Sequence, residues 1–175
     1  MFDRLVQWIL SVFRKLFGGG ESPPPDSSGE GGPVVSTPHT PVKRALLVGI
    51  NKYRIPNADL NGCVNDVEGV WKALTESFDF DPDNIRVLTD ERATKAGILE
   101  RLEWLLSGVK TGDELFLHFS CHGSQIRDRN NDELDDSLDE LIVTHDHSWD
   151  DPLLDDQLHG LFKMLPQGAF LTVVV

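Results

Sequence analysis

Basic residues are scarce in this chain of 175 residues: 16 Lys and Arg stand against 29 Asp and Glu, a formal net charge of −13. That balance argues against a nucleic-acid-binding protein, whose affinity depends on neutralising phosphates. A basic peptide or a metal cation is the better electrostatic match. Cysteine is nearly absent as well. Cys63 and Cys121 permit one disulfide but no Cys-dense framework of the secreted kind, so a reduced, cytoplasmic setting is the expected compartment. Long hydrophobic runs are missing too, and no stretch approaches the roughly 20 apolar residues that span a bilayer. With 39% hydrophobic residues, the chain can bury one core of ordinary size.

The N-terminus carries the tidiest apolar pattern. In "MFDRLVQWILSVFRKLF", residues 1–17, Asp3, Arg4, Gln7, Ser11, Arg14 and Lys15 share one helical face, and Phe2, Leu5, Ile9, Val12, Phe13 and Leu16 cover the other. Three readings stand side by side: peripheral contact with a membrane, docking on a partner or on the chain's own domain through residues 2–17, and an uncleaved signal-like segment. Residues 18–42 are dominated by Gly, Pro, Ser and Thr, which cannot bury enough apolar surface to offset the entropy of ordering; they read as a disordered linker. His39 lies inside it and reads as incidental.

The folded domain is expected from Lys43 to the final Val175. "RALLVGI" reads as a buried parallel strand. Next, Val67, Val70, Trp71 and Leu74 recur at helical spacing behind Asn65, a candidate N-cap. "NIRVLTD" is a second strand, and "TKAGILERLEWLLSG" a second helix, capped by Thr94, with Ile98, Leu102 and Leu105 inward and Gly108 as its stop. Residues 114–119 form a third strand and 168–175 a fourth. Strands alternating with crossover helices predict an α/β, three-layer fold: a mostly parallel central sheet flanked by helices. In such sheets ligands bind outside the carboxyl ends of the strands. His122, followed by Gly123, stands at the end of the third strand, a position suited to chemistry.

Three ordered blocks give that position a context. "HFSCHGSQ", residues 118–125, "LNGCVNDV", residues 60–67, and "LLDDQLHG", residues 153–160, resemble the metacaspases, cysteine peptidases of caspase-like fold, over residues 44–175. Cys121 stands where that family usually has Gly. The resemblance implies that His122 is the histidine of a catalytic Cys–His dyad, that the Gly123 amide helps bind the oxyanion, and that Asp66 and Ser120 line a pocket for Arg or Lys. The physical logic is general: a thiol attacks as thiolate, and a nearby imidazole promotes that ionisation and later protonates the leaving amine. The resemblance also implies that the nucleophilic Cys follows the fourth strand, past Val175, so the chain is expected to be inactive alone. Cys121, next to His122 on an extended strand, should point to the opposite face. Cys63 reads as a packed thiol.

The tract from Asp128 to Asp156 holds twelve Asp and Glu in 29 residues. Its spacing from Asp128 to Asp139 approaches an EF-hand loop, but Glu133 sits at the sharp-turn glycine and no flanking helices are evident, so an EF-hand is rejected. The resemblance implies calcium ligands at Asp139, Asp155 and Asp156; a solvated acidic loop is the alternative. His145 and His147 are expected to face solvent after the short strand "LIVT", and His159 to lie on a helix with Leu158, Leu161 and Phe162. Two classes of function follow: an endopeptidase acting on peptides or proteins with a basic residue before the scissile bond, or a non-catalytic caspase-like module binding calcium or a partner.

Overall fold

The computed structural model describes residues 39–127 and 138–175. The N-terminal helix expected at 1–17, the linker up to residue 38 and the acidic stretch 128–137 lie outside these. Strand β1 (Lys43–Gly49) is followed by helix α1 (Cys63–Ser77), strand β2 (Ile85–Thr89), helix α2 (Lys95–Leu106) and strand β3 (Glu114–Ser120). Then come β4 (Gly123–Arg127), β5 (Leu138–Ile142), β6 (Leu153–Leu154), helix α3 (Asp155–Phe162) and β7 (Phe170–Val174).

The four core strands are parallel in the order β2-β1-β3-β7, with Leu46 beside Leu117 and His118 beside Val174. Side-chain alternation splits the core in two. Leu46, Val48, Leu115, Leu117 and Phe119 pack with Ile98, Leu102 and Leu105 of α2 and with Leu158 and Phe162 of α3. On the other face Ala45 and Leu47 pack with Val67 and Leu74 of α1, and Phe116 joins them. Ile98, Leu102 and Leu105 are fully buried, and burial of side chains this size contributes about 1.5–3 kcal/mol each. The expected three-layer arrangement is therefore present. A second sheet, β4-β5-β6, is antiparallel; its β5 takes in Leu141 and Ile142 of the expected "LIVT" strand, and Val143 and Thr144 lie beyond it.

Helix α2 begins as the sequence predicts, with Thr94 accepting a hydrogen bond from the Gly97 N–H, and Gly108 takes the left-handed conformation (φ 62) beyond its end. Helix α1 does not. Its N-cap is Gly62 at φ 110, and Asn65 lies inside the helix. The reason is long-range: the Cys63 N–H donates to the side-chain oxygen of Asn51, in the loop after β1, so no local cap is needed. Of the residues at helical spacing, Val67 and Leu74 are buried and Trp71 is exposed. Gly49 is required where α1 meets β1: a Cβ there would stand 2.6 Å from the Cys63 carbonyl oxygen and 2.7 Å from a Val67 methyl.

His39 is not incidental. Its Nε2 lies 2.6 Å from the carboxylate of Asp113, a fully buried acid that also accepts the Val42 and Lys110 N–H groups. Burial alone would raise the Asp113 carboxyl, but those two N–H bonds and His39 bring it below its ordinary value. Residues ahead of β1 are thus tied to the β3 entrance.

Candidate active site

The carboxyl ends of β3 and β7 open onto a cavity of about 550 Å³ whose walls include Asp66, His118, Ser120, His122, Gly123 and Val174. Ligands in such sheets bind outside the carboxyl ends of the parallel strands, and here the first turn of α1, with Cys63 and Asp66, forms part of the wall.

His122 is held from two sides. Its backbone N–H donates to the Tyr53 hydroxyl at 3.0 Å, and its Nε2 lies 2.9 Å from the Ala58 carbonyl oxygen. A carbonyl only accepts, so Nε2 carries the proton and Nδ1 keeps its lone pair. The Tyr53 ring lies against the imidazole at a centroid distance of 5.1 Å. Burial pushes the Tyr53 hydroxyl well up, so it stays neutral. The Val143 N–H donates to the His122 carbonyl, which makes the facing pair Gly123–Ile142 a non-hydrogen-bonded one. In such a pair the Gly123 N–H points away from β5.

The loop that carries Tyr53 and Ala58 has its own scaffold, none of which the sequence motifs reveal. Asp90, at φ 46, accepts the Asn51 and Lys52 N–H groups through one carboxylate oxygen. Asp59 accepts the Tyr53 N–H and the Lys52 ammonium, whose bond holds the Asp59 carboxyl below its usual range. His145 is buried rather than solvent-facing: its Nδ1 lies 2.7 Å from the Lys52 carbonyl, and its own carbonyl accepts the Arg54 N–H. His147 is only partly exposed and packs edge-on to Trp149, with both ring nitrogens buried.

Asp66 and Ser120 are brought together. The Ser120 hydroxyl donates to Asp66 Oδ2 at 2.7 Å, joining α1 to the end of β3. Cys63 is buried at the first position of α1. Cys121, one residue past β3, packs against the α2-side core and also borders the cavity. Burial pushes its thiol up to about 12, so at neutral pH it is not a thiolate.

Asp139 on β5 and Asp155 at the start of α3 are both buried, and Asp156 follows. The β5–β6 pairing, Leu141 with Leu154, places them near one edge of the second sheet. Among the described residues no group of three His, Cys, Asp or Glu side chains is placed to hold a metal ion.

Comparison with known proteins agrees with the three ordered blocks. The metacaspase peptidase C14 domain matches residues 43–175. This chain belongs to the metacaspases. It is 38% identical to Metacaspase-1A of Neurospora crassa over 139 residues, covering 75% of this chain and 30% of that protein. Metacaspase-1 of Saccharomyces cerevisiae is 33% identical over 162 residues, 87% of this chain and 37% of its own. A crystal structure of a protein from Geobacter sulfurreducens superposes with a TM-score of 0.63 at 27% identity, over 76% of this chain and 49% of that one. The metacaspase chain described here spans about a third of the length of these curated relatives. Its fold is the caspase-like α/β arrangement of the peptidase C14 domain.

Proposed function

We propose that this metacaspase chain is the histidine-bearing part of a cysteine endopeptidase that cleaves after Arg or Lys. The observation that carries this reading is the convergence of a tautomer-fixed imidazole and a Ser120-bound carboxylate on one cavity. His122 Nδ1 takes the proton of a thiol while Nε2–H stays on the Ala58 carbonyl. The sulfur then attacks the scissile carbonyl carbon, and the Gly123 N–H donates to the oxygen that gains the electron pair. When that intermediate collapses, the C–N bond breaks and Nδ1 returns the proton to the leaving amine. Water hydrolyses the resulting thioester with the same nitrogen as base. Asp66, oriented by Ser120, attracts the cationic side chain preceding the scissile bond.

The thiol comes from neither cysteine of this chain. Both border the same cavity, but Cys121 is a neutral thiol packed against the α2-side core and Cys63 is buried at the first position of α1. We place the nucleophile in polypeptide adjoining Val174 and Val175, which line the same cavity as His122. Residues 1–175 by themselves then do not cleave.

Calcium is proposed as a cofactor on Asp139, Asp155 and Asp156. An all-oxygen, carboxylate set suits Ca²⁺ and not Zn²⁺. Among the described residues these acids are not grouped with a third donor as a metal ion would need, so the proposal rests on the resemblance and on the carboxylate chemistry alone. The ion would neutralise the acidic edge of the second sheet.

The test is cleavage of two peptides that differ only in Arg or Asp before the scissile bond. Residues 1–175 are assayed alone and mixed with the portion of a metacaspase relative that follows the position matching Val175. The reading expects cleavage only in the mixture, only after Arg, and none with His122→Ala. Cleavage after Asp, or cleavage indifferent to His122→Ala, would contradict it. Absence of cleavage in every mixture would favour the non-catalytic calcium- or partner-binding module.

A further inference from the structure

His118 has no role in the reading above, yet it is the most unusual polar group in the cavity. It lies on β3 one pleat before Ser120, so both side chains project to the α1 face. It is 6% exposed. Its Nδ1 lies 3.2 Å from the Val174 carbonyl oxygen, which can only accept, so Nδ1 carries the proton and Nε2 presents a lone pair. That Nε2 is buried and has no hydrogen-bond partner among the described residues. Burial lowers the basicity of the ring, which keeps it neutral and Nε2 an acceptor.

An unmet buried acceptor is costly, and its neighbours say what would meet it. Asp66 and Ser120 share the cavity wall with His118. The Ser120 proton is already spent on Asp66. The wall therefore offers acceptors: a carboxylate, the lone pairs of a hydroxyl oxygen, and an imidazole nitrogen. Asp66 is itself exposed, and a single exposed carboxylate holds a cation weakly. A guanidinium has five N–H donors in a rigid plane, more than one carboxylate can satisfy, whereas an ammonium is a compact charge with three.

Resting on the basic-pocket reading, we infer that His118 is a specificity-determining residue, whose Nε2 accepts a hydrogen bond from a guanidinium held by Asp66 and Ser120, favouring Arg over Lys. The same bond that orients the ring, Nδ1–H to the Val174 carbonyl, ties this acceptor to the end of β7.

The experiment uses agmatine as guanidinium probe and pentylamine as ammonium probe, titrated into residues 1–175 with ¹⁵N-labelled histidine. The His118 Nε2 resonance moves on addition of agmatine and much less with pentylamine. His118→Asn keeps a donor for Val174 but removes the second nitrogen; it weakens agmatine about tenfold and leaves pentylamine unchanged. His118→Gln, which returns an amide to the Nε2 position, recovers most of the loss. Asp66→Asn abolishes binding of both probes. Wild-type affinity in His118→Asn together with loss in Asp66→Asn would overturn the role of His118 and leave the basic pocket standing. Binding indifferent to Asp66→Asn, or no agmatine binding by the unsubstituted chain, would overturn the pocket itself. Should His118→Asn fail to fold, an unmoved Nε2 resonance in the unsubstituted protein at saturating agmatine is decisive against the inference.

Discussion

The Nε2–H of His122 donates to the carbonyl oxygen of Ala58 at 2.9 Å, across 64 positions of sequence. The orientation of the imidazole is therefore a property of the loop after β1, not of the His-Gly motif. Asp90 anchors that loop through the Asn51 and Lys52 N–H groups. Asp90→Ala should lower stability by about 1–3 kcal/mol, the cost of leaving such donors unmet, as read by urea denaturation. It should also broaden the His122 ring resonances. Unchanged stability and sharp resonances would show that the loop holds itself without Asp90.

The Ser120–Asp66 bond separates charge from orientation. In the reconstituted cleavage assay Ser120→Ala should raise KM about fivefold, the worth of one ordinary hydrogen bond, with kcat little changed. Asp66→Asn should remove the preference for Arg altogether. Equal losses from both substitutions would mean that the hydroxyl contacts substrate directly.

Asp113 makes stability depend on acid. Its carboxyl is held below its ordinary value in the folded chain, so the folded state binds the proton less readily than the unfolded one. That contribution is complete above the unfolded pKa, near 3.8, and is lost as pH falls through the folded value. Asp113→Ala should cost about 3 kcal/mol at pH 7, since it strands the Val42 and Lys110 N–H groups. It should also flatten the fall in stability below pH 4, measured by denaturant titration across pH. An unchanged acid limb would remove Asp113 from the account.

Calcium should raise the thermal midpoint of residues 1–175, because an ion bound to the folded state stabilises it by mass action. The double substitution Asp155→Ala, Asp156→Ala should abolish the increase while leaving a cooperative transition without calcium. A calcium response that survives the double substitution would dispose of these ligands.

The parallel core was legible because its signals are local. Ile98, Leu102 and Leu105 repeat at helical spacing and are all fully buried, and Thr94 caps its helix by a bond three residues long. What escaped is held by distant partners. Asn51 replaces the expected cap at Asn65 from twelve residues away. His39, set in a Gly- and Pro-rich tract, is fixed by Asp113, 74 positions on. His145 alternates with acids as a surface residue would, yet it is buried because the loop after β1 folds over it and offers the Lys52 carbonyl. Ala58, the residue that orients the imidazole, acts through its backbone, and no side-chain pattern marks it. The resemblance located His122, Asp66 and Ser120; the tautomer follows from the fold, which sets the Ala58 carbonyl against Nε2, and the bond between the latter two likewise.

The central claim is that His122 stands ready as a base, protonated on Nε2 and open on Nδ1. Long-range ¹H–¹⁵N correlation of the imidazole near neutral pH measures this directly. The account predicts a pyrrole-type Nε2 and a pyridine-type Nδ1 for His122, with Tyr53→Phe leaving that tautomer in place because Ala58 sets it. A proton on Nδ1 with Nε2 bare would contradict the account.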